Sequence, residues 1–110
     1  CNVQPMLTLL REVEAMSRIG RALADPTRCR ILLQLLEGPA YPTEIAASLA
    51  LTRSNVSNHL TCLRGCGIVI ASHEGRHVRY ELADAELSEA LTHLIATTLV
   101  SGHPPRAEET

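Results

Sequence analysis

Two short helices joined by a tight turn are predicted over residues 42–66, which read PTEIAASLALTRSNVSNHLTCLRGC. Pro42 suits the first turn of a helix that ends near residue 49, and Thr52 can cap a second helix over 53–66, which Gly67 ends. Val56, Leu60 and Leu63 fall on one side of this second helix, because the helix advances about 100° per residue, and they form an apolar stripe. The connection over residues 50–52 has the length of the turn in a helix-turn-helix, whose second helix enters the DNA major groove.

The segments on either side predict the remainder of a winged helix-turn-helix. Apolar residues at helical spacing predict two helices before the motif, the second of them capped by Asp25, and one helix near the end. Around Gly75 the apolar positions alternate, which is typical of a β-hairpin. The expected fold is a single domain over 1–110, mainly α with a small β-hairpin, in the order α-α-α-α-β-β-α. Its predicted segments are an N-terminal arm (1–6), helices 7–24 and 26–37, the helix-turn-helix (42–66), the wing (68–82), a last helix (84–100) and a tail (101–110).

Composition limits the classes of function that the chain can have. Its 110 residues are 45% hydrophobic, with no Phe or Trp and only two Tyr. Scarce aromatic residues argue against modules that stack bases or sugars. An enzyme is not expected, since the sequence has no Gly-rich phosphate loop, paired catalytic carboxylates or Ser-His-Asp set at recognisable spacing. No apolar run approaches the roughly 18 residues of a membrane span and no signal peptide is visible, so a cytoplasmic protein without a membrane partner is expected.

Charge is distributed unevenly, although the net charge of the chain is only −2. Residues 1–44 are neutral, residues 45–80 carry +3 together with three His, and residues 81–110 carry −5. All ten basic residues are arginine, and no acidic residue lies between Glu44 and Glu74. The basic middle segment contains the predicted helix-turn-helix and is the part of the chain suited to a polyanion.

Polar side chains cover the outer face of the helix predicted over 53–66. Ser, Thr and Asn contact phosphates or base edges, and Arg pairs bidentately with guanine or phosphate. The predicted wing adds basic side chains near its tip. The candidate contacts to double-stranded DNA are Arg53, Ser54, Asn55, Ser57, Asn58, His59, Thr61, Arg64, Arg76 and His77.

Four cysteines are present, too few to indicate a disulfide scaffold in a chain of this length. Cys62 and Cys66 are one turn apart on one side of the predicted recognition helix, where two thiolates could bind one soft metal ion. The alternative is that both are small core residues, as free Cys often is. Cys29 lies one turn before Leu32 and is expected in the core.

Three stretches of the chain resemble the ArsR/SmtB family of metalloregulatory repressors. They are ADPTRCRIL (24–32), LTRSNVSNHL (51–60) and GRHVRY (75–80), and the resemblance extends over residues 7–100. Within the family, the pair Cys62 and Cys66 resembles the cadmium- and lead-sensing CmtR branch. The resemblance implies a homodimer held by its first and last helices, 7–24 and 84–100. It also implies that the metal-free dimer binds operator DNA and represses, and that metal binding causes derepression.

A thiophilic metal ion is the effector that the resemblance implies. Cd(II) and Pb(II) are the expected inducers, Hg(II) is a further candidate, and no organic cofactor is expected. The branch takes a third thiolate from the C-terminal tail of the other subunit, but residues 101–110 contain no Cys. Cys1 is the preferred replacement because thiolate suits soft cations, and His103 and Cys29 are less favoured.

The family also has a zinc-binding branch whose ligands lie on the last helix. Asp84, Glu86 and His93 are present there, but their spacing does not match that site. His93 is therefore expected to be a surface residue.

Two alternatives to a metal-responsive repressor stay open. The same thiols could sense oxidants, in which case an oxidant would release DNA without metal. The chain could also be a dimerisation module without DNA binding, in which case no salt-sensitive binding to DNA would be observed.

Overall fold

Five helices and one hairpin follow one another in the predicted order. The computed structural model describes residues 3–100, and the side-chain surroundings of residues 6–99. The prediction of a mainly α fold with one antiparallel hairpin is confirmed. The elements are α1 (Val3–Leu23), α2 (Pro26–Leu36), α3 (Pro42–Leu49), α4 (Arg53–Gly65), β1 (Val69–Glu74), β2 (His77–Leu82) and α5 (Ala85–Val100).

The first helix starts earlier than the sequence suggests. α1 begins at Val3 instead of residue 7, so residues 3–6 of the expected N-terminal arm are helical. Pro5 does not prevent this, because it lies in the first turn, where backbone N–H groups have no acceptor within the helix. Residues 1–2 lie outside the described part of the chain.

One aliphatic core joins α2, α3, α4 and the hairpin. α4 contacts α2, α3 and β1, and β2 contacts α2, α3 and α5. Burying a Leu, Ile or Val side chain stabilises a protein by about 1.5–3 kcal/mol, so this core makes a large contribution to the free energy of unfolding. The most completely buried large side chains are Ile31, Ile45, Val56, Leu60, Leu63 and Val69.

Side-chain caps begin α2 and α4, as predicted. Asp25 Oδ1 accepts hydrogen bonds from the backbone N–H groups of Thr27 (2.8 Å) and Arg28 (3.2 Å). The Thr52 hydroxyl accepts a hydrogen bond from the N–H of Asn55 (3.0 Å). Each cap satisfies donors that a helix leaves free in its first turn.

The two helices of the helix-turn-helix end in the same way. A Schellman motif, formed by a pair of backbone hydrogen bonds, closes both α3 and α4. In each motif one residue adopts the left-handed conformation. It is Ala50 (φ 58°) after α3 and Gly67 (φ 81°) after α4. Among the described residues, Ala50 is the only non-glycine residue with positive φ. The turn between α3 and α4 therefore places a Cβ where glycine is usual.

The wing is a hairpin anchored at its base to the chain that enters α3. Glu74 pairs with His77, which leaves a two-residue turn with Gly75 (φ 65°) in its first position. Two-residue hairpin turns that match the twist of the strands need a positive φ at this position, and glycine adopts a positive φ readily. Ala40 and Tyr80 exchange two N–H to carbonyl hydrogen bonds of 2.9 Å each. The base of the wing is thus fixed to the start of α3.

Apolar side chains are exposed along α1 and α5. Met16 on α1 and Leu99 on α5 are each 73% exposed. Within the described residues, no helix is both long enough and apolar enough to cross a membrane. Large exposed apolar patches on a folded domain mark interaction surfaces. The exposed large apolar residues of these two helices are Met6, Leu7, Leu9, Leu10, Val13, Met16 and Ile19 on α1 and Leu94, Ile95 and Leu99 on α5.

Candidate nucleic-acid interface and thiol pair

α4 is fixed in the domain by one side and exposes the other. Val56, Leu60 and Leu63 are all 0% exposed, so the apolar stripe predicted for this helix is confirmed. Seven of the eight predicted DNA contacts on α4 are exposed, and their side chains form no hydrogen bond or ion pair with another described residue. These polar groups are free to contact phosphates and base edges. The seven are Arg53, Ser54, Asn55, Ser57, Asn58, Thr61 and Arg64.

His59, the eighth predicted contact on α4, lies in a different environment. It is half-buried. The pKa of Asp25, at the start of α2, is lowered mainly by the hydrogen bonds that the backbone N–H groups of Arg28 and Thr27 donate to its carboxylate, and the proximity of His59 adds a smaller lowering effect. His59 therefore faces α2 in part and does not share the fully exposed position of its neighbours on α4.

The tip of the wing presents two basic side chains. Arg76 and His77 are exposed at and beside the turn. Arg79, which contributes to the +3 charge of residues 45–80, is already engaged: its Nε lies 3.3 Å from Glu74 and its Nη2 3.9 Å from Glu81. Arg76 is therefore the arginine of the wing that is available for a phosphate.

Tyr41 joins this region, although nothing in the sequence indicates it. Its hydroxyl donates a hydrogen bond of 2.6 Å to Glu74, and its ring meets the His77 ring edge-on with the centroids 5.8 Å apart. The bond to the Glu74 carboxylate raises the pKa of Tyr41. The contact depends on tertiary structure: the hairpin register places Glu74 opposite His77, and the hydrogen bonds between Ala40 and Tyr80 bring the start of α3 to the hairpin.

The two thiols of the predicted metal site lie at the C-terminal end of α4. Cys62 is exposed, whereas Cys66 is half-buried, packs against the core and forms the C-cap. The Cys66 N–H donates to the Cys62 carbonyl at 3.0 Å, and the Gly67 N–H donates to the Arg64 carbonyl at 3.0 Å. The backbone thus holds both cysteines one helical turn apart, and residues at this separation have Cβ atoms about 5–6 Å apart. Two soft donors at this spacing can be ligands of one thiophilic ion.

A third donor does not complete this pair within the part of the chain that the structure describes. No group of three or more His, Cys, Asp or Glu side chains that could hold a metal ion occurs among those residues. Cys1 and His103, the two expected sources of a third ligand, both lie outside the described residues. If the thiol pair binds an ion with three or more ligands, the remaining donors must come from outside the described residues.

Cys29 has a different environment from Cys62. Its Sγ donates a hydrogen bond of 3.1 Å to the Leu23 carbonyl, and the residue is half-buried. It lines an apolar groove of about 210 Å³ between α2 and α5, together with residues such as Leu32 and Leu91. Cys29 was expected in the core, but it is half-buried at this groove and is not among the buried core residues.

The last helix shows no zinc-type cluster among its described residues. The Asp84 carboxylate accepts a hydrogen bond of 2.7 Å from the Leu87 N–H and so caps α5. His93 is exposed, as expected.

The sequence of the chain is similar to known bacterial regulators. A family described as "Bacterial regulatory protein, arsR family" matches residues 25–71. The HTH-type transcriptional regulator CmtR of Mycobacterium tuberculosis (strain ATCC 25618 / H37Rv) is 62% identical over 94 residues, which cover 86% of this chain and 80% of that protein. A probable mercury resistance operon repressor of Streptomyces lividans is 36% identical over 76 residues, which cover 69% of this chain and 61% of that protein.

Solved structures show the same architecture. The NMR structure of the cadmium metal-sensor CMTR from Mycobacterium tuberculosis matches with a TM-score of 0.63 and 67% identity over 72% of this chain and 82% of that chain. The homodimeric winged helix-turn-helix DNA-binding domain of Mb0332 from Mycobacterium bovis matches with a TM-score of 0.75 and 27% identity over 86% of this chain and 89% of that chain. These matches confirm both the winged helix-turn-helix fold and the resemblance found in residues 7–100.

Both sequence relatives are transcriptional regulators, and the recognition helix and wing described above are the parts that a DNA-binding regulator requires. By its motifs, its fold and its relatives, this chain belongs to the arsR family of bacterial regulatory proteins, close to CmtR.

Proposed function

We propose that this protein is a metal-responsive transcriptional repressor whose thiol pair couples metal binding to DNA release. In the metal-free form, a homodimer binds double-stranded operator DNA through α4 and the wing of each subunit. A soft ion bound by Cys62 and Cys66 then lowers DNA affinity. The proposal treats residues 1–110 as one functional domain, with the predicted tail at 101–110.

One observation carries the proposal: the two thiols lie on the helix that carries most of the predicted DNA contacts. Arg64 and Thr61 are exposed on α4 immediately beside Cys62. Cys66 ends the same helix and packs against the core. Cys62 is exposed and Cys66 is packed against the core. An ion bound to both thiols therefore connects the C-terminal end of α4 to the residue that provides the remaining donor. Such an ion releases DNA if it binds more tightly to a conformation in which α4 fits DNA poorly.

Dimerisation is supported by the exposed apolar side chains of α1 and α5. They include Leu10 (58% exposed) and Leu94 (57% exposed), which a second chain would remove from water. Two copies of the basic segment 45–80 would then act together on one duplex. The homodimeric form of the Mb0332 domain, with the same fold, agrees with this arrangement.

The donor chemistry favours soft ions. Thiolates select Cd(II), Pb(II) and Hg(II) over hard cations such as Mg(II). Cadmium is the first ion to test, because the solved structure of CMTR is that of a cadmium sensor, and mercury follows from the name of the Streptomyces relative. We propose Cys1 as the third donor, because thiolate suits soft cations better than imidazole does, and His103 as its substitute.

The decisive experiment measures DNA release by fluorescence anisotropy. A labelled duplex is selected by the wild-type chain of residues 1–110 from a random-sequence library, and Cd(II) is then titrated into the complex. Wild type should release the duplex near one ion per subunit. Cys62→Ser and Cys66→Ser should each keep metal-free DNA binding but need at least about tenfold more Cd(II) for release, which corresponds to the loss of roughly 1.4 kcal/mol of metal-binding free energy.

Cys29→Ser is the matched control, because it removes a thiol that lies outside the pair. It should respond to Cd(II) as wild type does. If Cys62→Ser and Cys66→Ser respond as wild type does, the site assignment is wrong. Release by peroxide in the presence of a chelator would instead assign the thiols to oxidant sensing.

A further inference from the structure

A polar cluster ties the tip of the wing to the start of α3. The Tyr41 hydroxyl donates a hydrogen bond of 2.6 Å to Glu74 Oε1. On the other side of this carboxylate, Arg79 Nε lies 3.3 Å from Glu74 Oε2. Glu74 is therefore held by two residues from different parts of the fold, and the thiol pair takes no part in the arrangement.

The Tyr41 ring projects from a fixed piece of backbone. The backbone N–H of Tyr41 donates a hydrogen bond of 3.0 Å to the Glu44 carboxylate in the first turn of α3. The residue before it, Ala40, is buried and exchanges two hydrogen bonds of 2.9 Å with Tyr80 of β2. The wing is thus attached to the start of α3 at its base by backbone and near its tip by the Tyr41 side chain.

The position of Glu74 gives this attachment a functional meaning. Glu74 is the only acidic residue in the basic segment 45–80, and it directly precedes the turn that carries Arg76. A free carboxylate there would repel phosphate, since like charges at close range disfavour binding. Tyr41 and Arg79 hold this carboxylate, and the Tyr41 ring also meets His77 edge-on at 5.8 Å. One tyrosine thus contacts the residues on both sides of the turn.

We infer that Tyr41 is a positioning residue for DNA binding, which holds Glu74 and His77 so that the wing tip presents Arg76 to the DNA backbone. This inference rests on the proposed function, because it assigns Tyr41 a role in the same DNA interface. Tyr41 acts through Glu74 and is not itself a DNA contact. Its hydroxyl should therefore matter only while the Glu74 carboxylate is present.

The contact itself can be tested without DNA. The chain has two tyrosines and no tryptophan, so a Tyr80→Phe variant reports the ionisation of Tyr41 alone by ultraviolet absorbance. The hydrogen bond to Glu74 raises the pKa of Tyr41, and a smaller opposing effect comes from Arg79. Adding Glu74→Ala to Tyr80→Phe should lower the pKa of Tyr41 toward the ordinary value of about 10. An unchanged titration would overturn the inference.

The role in binding is tested with variants of the chain of residues 1–110 on the duplex selected by wild type. Tyr41→Phe should weaken metal-free binding by about fivefold, the factor that corresponds to a typical net hydrogen bond. Tyr80→Phe is the matched control, since the Tyr80 hydroxyl has no hydrogen-bond partner among the described residues, and it should bind as wild type does. Unfolding temperatures are measured alongside: that of Tyr80→Phe should stay close to wild type, and that of Tyr41→Phe should fall by only a few degrees, since one exposed hydrogen bond is lost.

The double variant separates positioning from direct contact. In a Glu74→Ala background, Tyr41→Phe should cause no further loss of DNA affinity. The double variant is compared with Glu74→Ala alone, so that the effect of the deleted charge cancels. Equal losses in both backgrounds would overturn the inference. Wild type that selects no duplex would overturn both the proposed function and this inference, whereas a binding wild type with an unaffected Tyr41→Phe variant would overturn this inference alone.

Discussion

The recognition helix α4 and the terminal helices α1 and α5 use their apolar residues in opposite ways. α4 buries its apolar side chains completely and exposes only polar ones, together with Cys62. α1 exposes most of its large apolar side chains, including Val13 (51%) and Ile19 (39%). The helix-turn-helix is therefore complete within one chain, whereas α1 and α5 have surfaces that need a partner.

This contrast also separates the energetic contributions of the two regions. The stability of the helix-turn-helix should be a property of the single chain. The contribution of α1 should depend on protein concentration, because association with a second chain stabilises the folded state by mass action. Variants in the two regions can therefore be told apart by the concentration dependence of their unfolding.

The largest effect is expected from the buried stripe of α4. Leu60→Ala removes a side chain that is 0% exposed and should lower the free energy of unfolding by about 2–5 kcal/mol at every protein concentration. Urea denaturation at several protein concentrations measures this. Leu10→Ala, at a 58% exposed position on α1, is the control and should matter only where dimers form. Equal, concentration-independent losses would show that α1 is stabilised within one chain.

The next effect tests the apolar face of α1. Leu10→Glu with Val13→Glu places two charges in each subunit where a partner is proposed, and should weaken dimerisation by at least roughly 100-fold, because burial of each side chain contributes about 1.5–3 kcal/mol. Sedimentation equilibrium measures the change. The pair Thr8→Glu with Ala15→Glu adds the same charge at exposed positions on the other side of α1 and should leave dimerisation nearly unchanged. A dimer that resists the first pair would move the interface elsewhere.

Local signals in the sequence were sufficient for much of α4. Thr52 and Gly67 mark its ends by chemistry that operates within one or two turns, and the apolar stripe follows from helical spacing alone. The spacing of Cys62 and Cys66 likewise predicted that both thiols lie on one side of a helix. Features that depend only on neighbours along the chain are thus readable without a structure.

Features that depend on tertiary contacts were not readable. Tyr41 and Glu74 are 33 positions apart, and their hydrogen bond requires both the hairpin register and the attachment of Ala40 to β2. The net charge of residues 45–80 also does not show which arginines are available to DNA. Arg79 forms ion pairs with Glu74 and Glu81, which only the structure shows. The left-handed conformation of Ala50 has no sequence signal, because alanine ordinarily avoids it.

A smaller effect is expected at the end of α4. Gly67 has φ 81°, and no atom of a residue beyond its chain neighbours lies within 4 Å of the place that a Cβ would occupy, so Gly67→Ala introduces backbone strain without a clash. It should destabilise the chain by about 1–2 kcal/mol, the cost of a left-handed L-residue. Because this residue follows Cys66, the affinity for Cd(II) should fall as well. Gly65→Ala, at an equally open position in the last turn of α4 and without positive φ, is the control and should not destabilise, since alanine favours helices.

The smallest effect is expected at the end of α3, where the left-handed position already holds a residue with a Cβ. Ala50→Gly should relieve strain and raise the free energy of unfolding by about 0.5–1 kcal/mol, less than the full strain because glycine also gains freedom in the unfolded chain. Thermal denaturation of Ala50→Gly and Gly67→Ala side by side measures both changes. Since both positions close a helix with the same pair of backbone hydrogen bonds, the two substitutions should shift stability in opposite directions. A loss of stability in Ala50→Gly would show that the Cβ of Ala50 supports the turn and that the single-chain stability of the helix-turn-helix depends on it.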